Sequence, residues 1–139
     1  LPIDAHINQD SLKELHDAFI AVLNKQGIIE VDLKSKEVDL TLTDMLQLRE
    51  VIKKLGGGKK MPVLVRTADF PGITPEARKF AATQESGIYT LASAVMVKTL
   101  ASRILFNFFM NINKPIIPTK GFIAEQEAMN WLLSFKNKN

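Results

Sequence analysis

Apolar and polar positions change their spacing several times along the chain, and each change marks an element. Residues 18–23 are almost continuously apolar, a turn follows at Asn24, Lys25, Gln26 and Gly27, and Ile29, Val31 and Leu33 then alternate with Glu30 and Asp32. Leu12, Leu15, Phe19, Ile20 and Leu23 also fit helical spacing, but the glycine-containing turn decides for a β-hairpin whose second strand has one wet face. Met45, Leu48, Val51, Ile52 and Leu55 fall on one side of a helix that opens with Thr41 and Asp44 as a capping pair and stops at Gly56, Gly57 and Gly58.

The chain is organised around residues 61–78. Val63, Leu64 and Val65 are contiguous and mostly β-branched, as in a strand buried on both faces. A turn follows, and a helix start with Thr74 as cap, Pro75 at the first helical position and Glu76 opposing the positive dipole end. Residues 91–97 read as a second buried strand, Thr99 caps a helix over 100–112, and Pro115 and Pro118 end it. A short strand over 119–123 near the sheet edge and an amphipathic helix over 125–135, with Ala128, Trp131, Leu132 and Phe135 inward, close the chain. Residues 1–11 are expected to form a loose arm and 12–139 a single domain. A strand pair followed by helix–strand repeats predicts an α/β fold with a mixed, mostly parallel central sheet, helices packed on it and right-handed crossovers.

The length of 139 residues suits one domain with a real core. The absence of cysteine removes disulfides, thiolate nucleophiles and cysteine–metal sites. No apolar run is long enough to span a bilayer, and Asp4 and His6 stand where a signal peptide needs a basic and then an apolar region. A cytoplasmic protein is expected, with removal of a leader ahead of Leu1 left open. Charge is uneven: residues 1–50 carry 10 acids and 5 bases, and residues 51–139 carry 5 acids and 13 bases. The bases are scattered and not interleaved with stacking aromatics, which argues for a solvated face and against nucleic acid as a partner.

Catalytic chemistry finds no support. The glycine run follows a helix, whereas a phosphate loop follows a strand and precedes a helix. His6 and His16 stand outside any metal-ligand spacing, Asp32, Glu37, Asp39 and Asp44 lack the spacing of a calcium loop, and no nucleophile elbow is present. No metal or cofactor is expected. Two regions stand out instead. The turn at 69–76 sits at the carboxyl end of a central strand, where open α/β sheets carry their sites; Thr74 there can cap the helix or carry a phosphate, and Asp69 can bond nearby amides or a partner. The helix over 100–112 is apolar around most of its circumference, with Arg103, Asn107 and Asn111 as a narrow polar stripe. Burial within the chain, a homodimer or partner interface, and a pocket or lipid contact all answer to that surplus.

Over residues 18–135 the chain resembles STAS domains, and more closely the SpoIIAA-like or STAS/SEC14 group of small bacterial proteins. The likeness rests on Gly27-Ile28-Ile29-Glu30-Val31, the Thr41-capped helix, Lys60-Met61-Pro62-Val63-Leu64-Val65, Ile73-Thr74-Pro75-Glu76-Ala77-Arg78, Ser102-Arg103, Lys114-Pro115, Ile117-Pro118-Thr119-Lys120 and Glu127-Ala128-Met129-Asn130-Trp131-Leu132. The resemblance implies a SpoIIAA-like architecture and a non-enzymatic domain that binds proteins or small ligands. In anti-sigma factor antagonists of this class a serine at the helix start after a central strand is phosphorylated. The turn here departs from that pattern, with Thr74 as its hydroxyl and Pro75 behind it.

The expectation is therefore a binding or regulatory domain that acts through protein–protein association, with a protein partner or a second copy. The alternative is a carrier or sensor of a small hydrophobic, lipid-like ligand. Asp69, Phe70, Gly72, Thr74 and Glu76 are the candidate switch or partner loop. Arg103, Phe106, Phe109 and Met110 are the candidate apolar contact or ligand surface.

Overall fold

Asn24 builds the first chain reversal. Its side-chain oxygen accepts hydrogen bonds from the amides of Gln26 (2.9 Å) and Ile28 (3.0 Å). Gly27 takes the left-handed backbone conformation (φ 83°) that closes the turn. The computed structural model describes residues 13–16, 18–34, 39–67 and 72–136. In chain order the elements are β1 (Lys13–Leu15), β2 (Phe19–Leu23), β3 (Ile29–Leu33), α1 (Leu42–Leu55), β4 (Met61–Thr67), α2 (Pro75–Ala81), β5 (Thr90–Met96), α3 (Leu100–Ile112), β6 (Thr119–Phe122) and α4 (Glu125–Lys136). The arm expected over 1–11 lies outside the described residues.

The six strands lie in one sheet in the order of the chain. β1, β2 and β3 pair antiparallel, with Ala21 opposite Val31, and β4, β5 and β6 each add parallel to the strand before. This is the mixed, mostly parallel α/β sheet that the alternation of elements predicts. β4 lies inside it, between β3 and β5, as its uninterrupted apolar run requires. Strand β1 is an addition: three residues are too few to display a period, and pairing with β2 defines them.

The sheet buries a different cluster on each face. On one, Phe19, Ala21, Ile29, Val31 and Val63 meet Val51, Ile52 and Leu55 of α1. On the other, Leu64, Ala92, Ala94, Met96 and Phe122 meet Ala128 and Leu132 of α4. Alternate β5 residues facing α4 are small, and Ala92, Ala94, Ala128 and Leu132 are fully buried. The small side chains let α4 approach closely, and burying Leu132 alone is worth about 2 kcal/mol.

All three connecting helices open on a threonine cap. Thr41 Oγ1 accepts from the Asp44 amide (3.2 Å) while Asp44 accepts from the Thr41 amide (3.0 Å). Thr74 Oγ1 accepts from the Ala77 amide (3.3 Å). Thr99 and Ser102 form a reciprocal pair of the same kind (3.0 and 3.1 Å). Arg49 of α1 lies over the Phe80 ring of α2, 5.6 Å from its centre, and helps hold the two helices together.

Arg66, near the carboxyl end of β4, ties three elements. Its guanidinium donates to Glu30 of β3 (2.5 Å) and to Glu125 in the first turn of α4, and lies 3.6 Å from Asp32. Burial alone would lower its pKa, but the hydrogen bonds to Glu30 and Glu125 outweigh that and hold it above the ordinary guanidinium value. Removing one member of such a partly buried network leaves the others uncompensated. Arg66→Met is therefore expected to lower the unfolding free energy in urea by about 2 kcal/mol, and Glu125→Gln by less; two negligible changes would show that the network does not support the fold.

At the sheet margin, Lys54 donates to Glu14 (2.8 Å), tying β1 to α1. That hydrogen bond, aided by His16 and opposed by burial, holds the Glu14 carboxyl below its ordinary value. A carboxyl lowered in the folded state stabilises above its unfolded pKa, and that stabilisation is lost as the pH falls. Wild type is expected to lose up to about 1 kcal/mol more than Glu14→Gln between neutral pH and about pH 3, measured by urea denaturation; parallel pH profiles would dismiss the pair.

Candidate functional site

Helix α3 is held to the sheet by one narrow edge. Its buried residues are Ser102, which closes the cap, and Phe106. The Phe106 ring rests on Gly121 of β6, where an added Cβ would stand 3.0 Å from the ring and 3.2 Å from Val97. Any larger residue at 121 would have to push the ring or Val97 aside, so this glycine sets how closely α3 approaches the sheet. The opposite edge is uncovered: Leu100, Ile104, Leu105, Phe108 and Ile112 are 66, 59, 45, 52 and 58% exposed. Ile116, just past the helix, extends the patch.

Between α1 and α3 lies a cavity of about 190 Å³, floored by β4 and β5. Val63, Val65 and Thr67 of β4, Ser93 and Val95 of β5, Leu48 and Ile52 of α1, and Phe106 and Phe109 of α3 line it, with Ile73 and Pro115 at its margins. The cause is visible in β5. Ala92, Ala94 and Met96 are buried, whereas Ser93 and Val95 between them stay half-buried because α3 does not settle onto them. Among the described residues no charged side chain lines the cavity. Thr67 Oγ1 is buried and has no hydrogen-bond partner among the described residues.

The residues expected to form the site are divided by the fold. Asp69 and Phe70 lie outside the described residues. Gly72 is exposed, and its carbonyl accepts from the Leu40 amide (2.9 Å) while Leu40 accepts from the Thr74 amide (3.0 Å), so this strand-like bridge ties the starts of α1 and α2 together. Thr74 is half-buried as the α2 cap, and Glu76 is exposed on the first turn. With seven residues, α2 offers only a short dipole to a phosphate at Thr74.

Among the α3 candidates, Phe106 and Phe109 face the cavity, Met110 is half-buried and Arg103 is exposed. Phe106 is not part of an outer contact surface: the ring points to the sheet because Gly121 leaves room for it. The uncovered face belongs instead to Leu100, Ile104, Phe108 and Ile112. Their four-residue spacing was a readable signal, but a helix apolar on nearly every side does not say which side is inward. Among the described residues no group of three or more His, Asp or Glu side chains can hold a metal ion. No helix among them is long and apolar enough to cross a membrane.

A family model matches residues 22–136, from within β2 to the end of α4. The chain belongs to the family described as Domain of unknown function (DUF7793). The crystal structure of a protein of unknown function from Arthrobacter sp. FB24 is similar, at 24% identity and a TM-score of 0.34, over 86% of this chain and 96% of that one. No curated protein matches the chain. Within this DUF7793 domain both the cavity and the uncovered edge of α3 fall inside the matched residues.

Because Phe106 anchors α3, Phe106→Ala is expected to lower amide-exchange protection across 100–112 by at least about tenfold while leaving β4 protected. Phe108→Ala should leave both unchanged. Equal effects of the two substitutions would contradict the assignment of inner and outer edges.

Proposed function

We propose that this DUF7793 domain is a non-enzymatic binding module that acts through protein–protein association, with the uncovered edge of α3 as its contact and a second copy of the chain as occupant. The observation that carries the reading is the exposure of Leu100, Ile104, Leu105, Phe108 and Ile112 on one helix with a reciprocal cap at its start. With Ile116 they offer roughly 600 Å² of apolar surface, at the top of what monomers ordinarily leave exposed. Two such faces reach roughly 1,200 Å², where specific interfaces begin. A rigid helix gives up little conformational freedom on docking, so more of that area is available as affinity. The resemblance to STAS domains, read from the sequence motifs, favours the same class of activity and a regulatory use of it.

The chain segment around this contact is basic, although Lys120 lies on the α4 face of the sheet, over the Phe122 ring. Residues 86–124 contain no acid and four bases, Lys98, Arg103, Lys114 and Lys120. Two copies therefore repel weakly at the rim, and salt should strengthen their association. Sedimentation velocity is expected to show a dimer that tightens with salt, and Phe108→Asp to be monomeric with an unchanged far-ultraviolet spectrum. A wild type that stays monomeric throughout the micromolar range overturns self-association, and binding that weakens with salt would point to an acidic-surfaced partner instead.

A further inference from the structure

We infer that the uncovered edge of α3 also docks on an anionic lipid surface, and that this docking competes with self-association through the same residues. Shape sets the mode of contact. α3 has 13 residues and is roughly 20 Å long, and no helix among the described residues is long and apolar enough to cross a membrane. It can therefore lie along a bilayer but not span it. Leu100, Ile104, Phe108 and Ile112 recur every four residues, so large exposed apolar side chains run the whole length of the outer edge. Helices of this kind bury their apolar face about 5–10 Å deep, at the boundary between headgroups and acyl chains. The inner edge is meanwhile kept on the sheet by Ser102 and Phe106, so the domain does not have to open.

Charge decides the class of surface. Lys98 stands just before the cap of α3, Arg103 near its start and Lys114 just past its end, and all three are exposed. None makes an ion pair with another described residue. Helix electrostatics do not call for them either. The other three helices place an acid in the first turn and a base in the last, whereas α3 has no acid at its start, no base in its last turn, and Arg103 where an acid would suit the dipole. A bilayer with negative headgroups meets both demands: its interior takes the apolar edge, and its surface attracts the bases at the two ends. A neutral bilayer meets only one. A second copy covers the apolar edge but sets like charges against each other, so the same three residues weaken the pair and strengthen the docking. Salt acts on the two in opposite directions. Because Phe108 is covered in both, one molecule cannot do both at once.

Docking rests on the same reading of the α3 edge as a contact surface, but vesicle binding is measured apart from the dimer, so the two can fail separately. Co-sedimentation of the full chain with vesicles of phosphatidylcholine, alone or in equal parts with phosphatidylglycerol, tests it. Binding to the mixed vesicles is expected, at least about tenfold weaker to phosphatidylcholine alone and declining with salt. Lys98→Ala and Lys114→Ala should each weaken it by about fivefold, and Phe108→Asp should abolish it. With lipid in excess, the bound fraction should fall as protein concentration passes through the range in which the dimer forms. Brominated acyl chains should quench the emission added by Phe108→Trp and spare that of Trp131, which packs on the α4 face. No binding to mixed vesicles, equal binding to both kinds, or undiminished binding by Phe108→Asp overturns the docking. If Phe108→Asp fails to fold, Phe108→Trp decides, since unquenched emission would mean adsorption by charge alone and would overturn it too. A wild type that is monomeric without lipid yet binds mixed vesicles overturns self-association and leaves the docking in place. A dimer whose formation does not lower the bound fraction overturns the competition.

Discussion

Each parallel strand after β3 is added on the same side of the one before it, and the right-handed crossover then has only one place to put the connecting helices. α1, α2 and α3 all go to one face, and α4, which follows the last strand, is left to cover the other. That single constraint decides how evenly the two faces are covered. One helix over three strands makes a tight layer when the strand residues beneath it are small, as Ala92 and Ala94 are. Three helices set in sequence along the other face do not meet as closely, and the shortfall appears between the α1–α2 pair and α3.

The two faces consequently do different work. The α4 face is closed by apolar contact and by Arg66, whose hydrogen bonds to Glu30 and Glu125 join β3, β4 and the first turn of α4. Acids and base there serve one another, which accounts for this cluster of charge without invoking a ligand. The α3 face carries the opposite properties: incomplete coverage of Ser93 and Val95, and an outer edge of large apolar side chains. Packing defects and exposed apolar area are unfavourable in a monomer. Their concentration around one helix is why we place the functional surfaces there.

The same geometry explains the role of glycine at 121. A side chain at that position would hold α3 away from β6, and the Phe106 contact that anchors the helix would be lost. The helix is thus held along one narrow edge, which leaves the opposite edge uncovered and Phe109 over a cavity. Membership of the DUF7793 family covers all of these elements. The functional reading rests on the physical features of the site.

Much of the fold was legible locally. Threonine caps at 41, 74 and 99, the Gly27 turn, the β-branched run of β4 and the amphipathic face of α4 each follow from near-neighbour chemistry, and together they specify an α/β chain and its mostly parallel sheet. The apolar excess of α3 was equally plain. What the sequence by itself left open was direction: a helix apolar nearly all round has no unique inner side, and only the room above Gly121 turns Phe106 inward and Phe108 outward. The three-residue strand β1 and the cavity are also tertiary decisions. One exists through pairing with β2, and the other through the gap left where helices from distant parts of the chain fail to meet over β4 and β5.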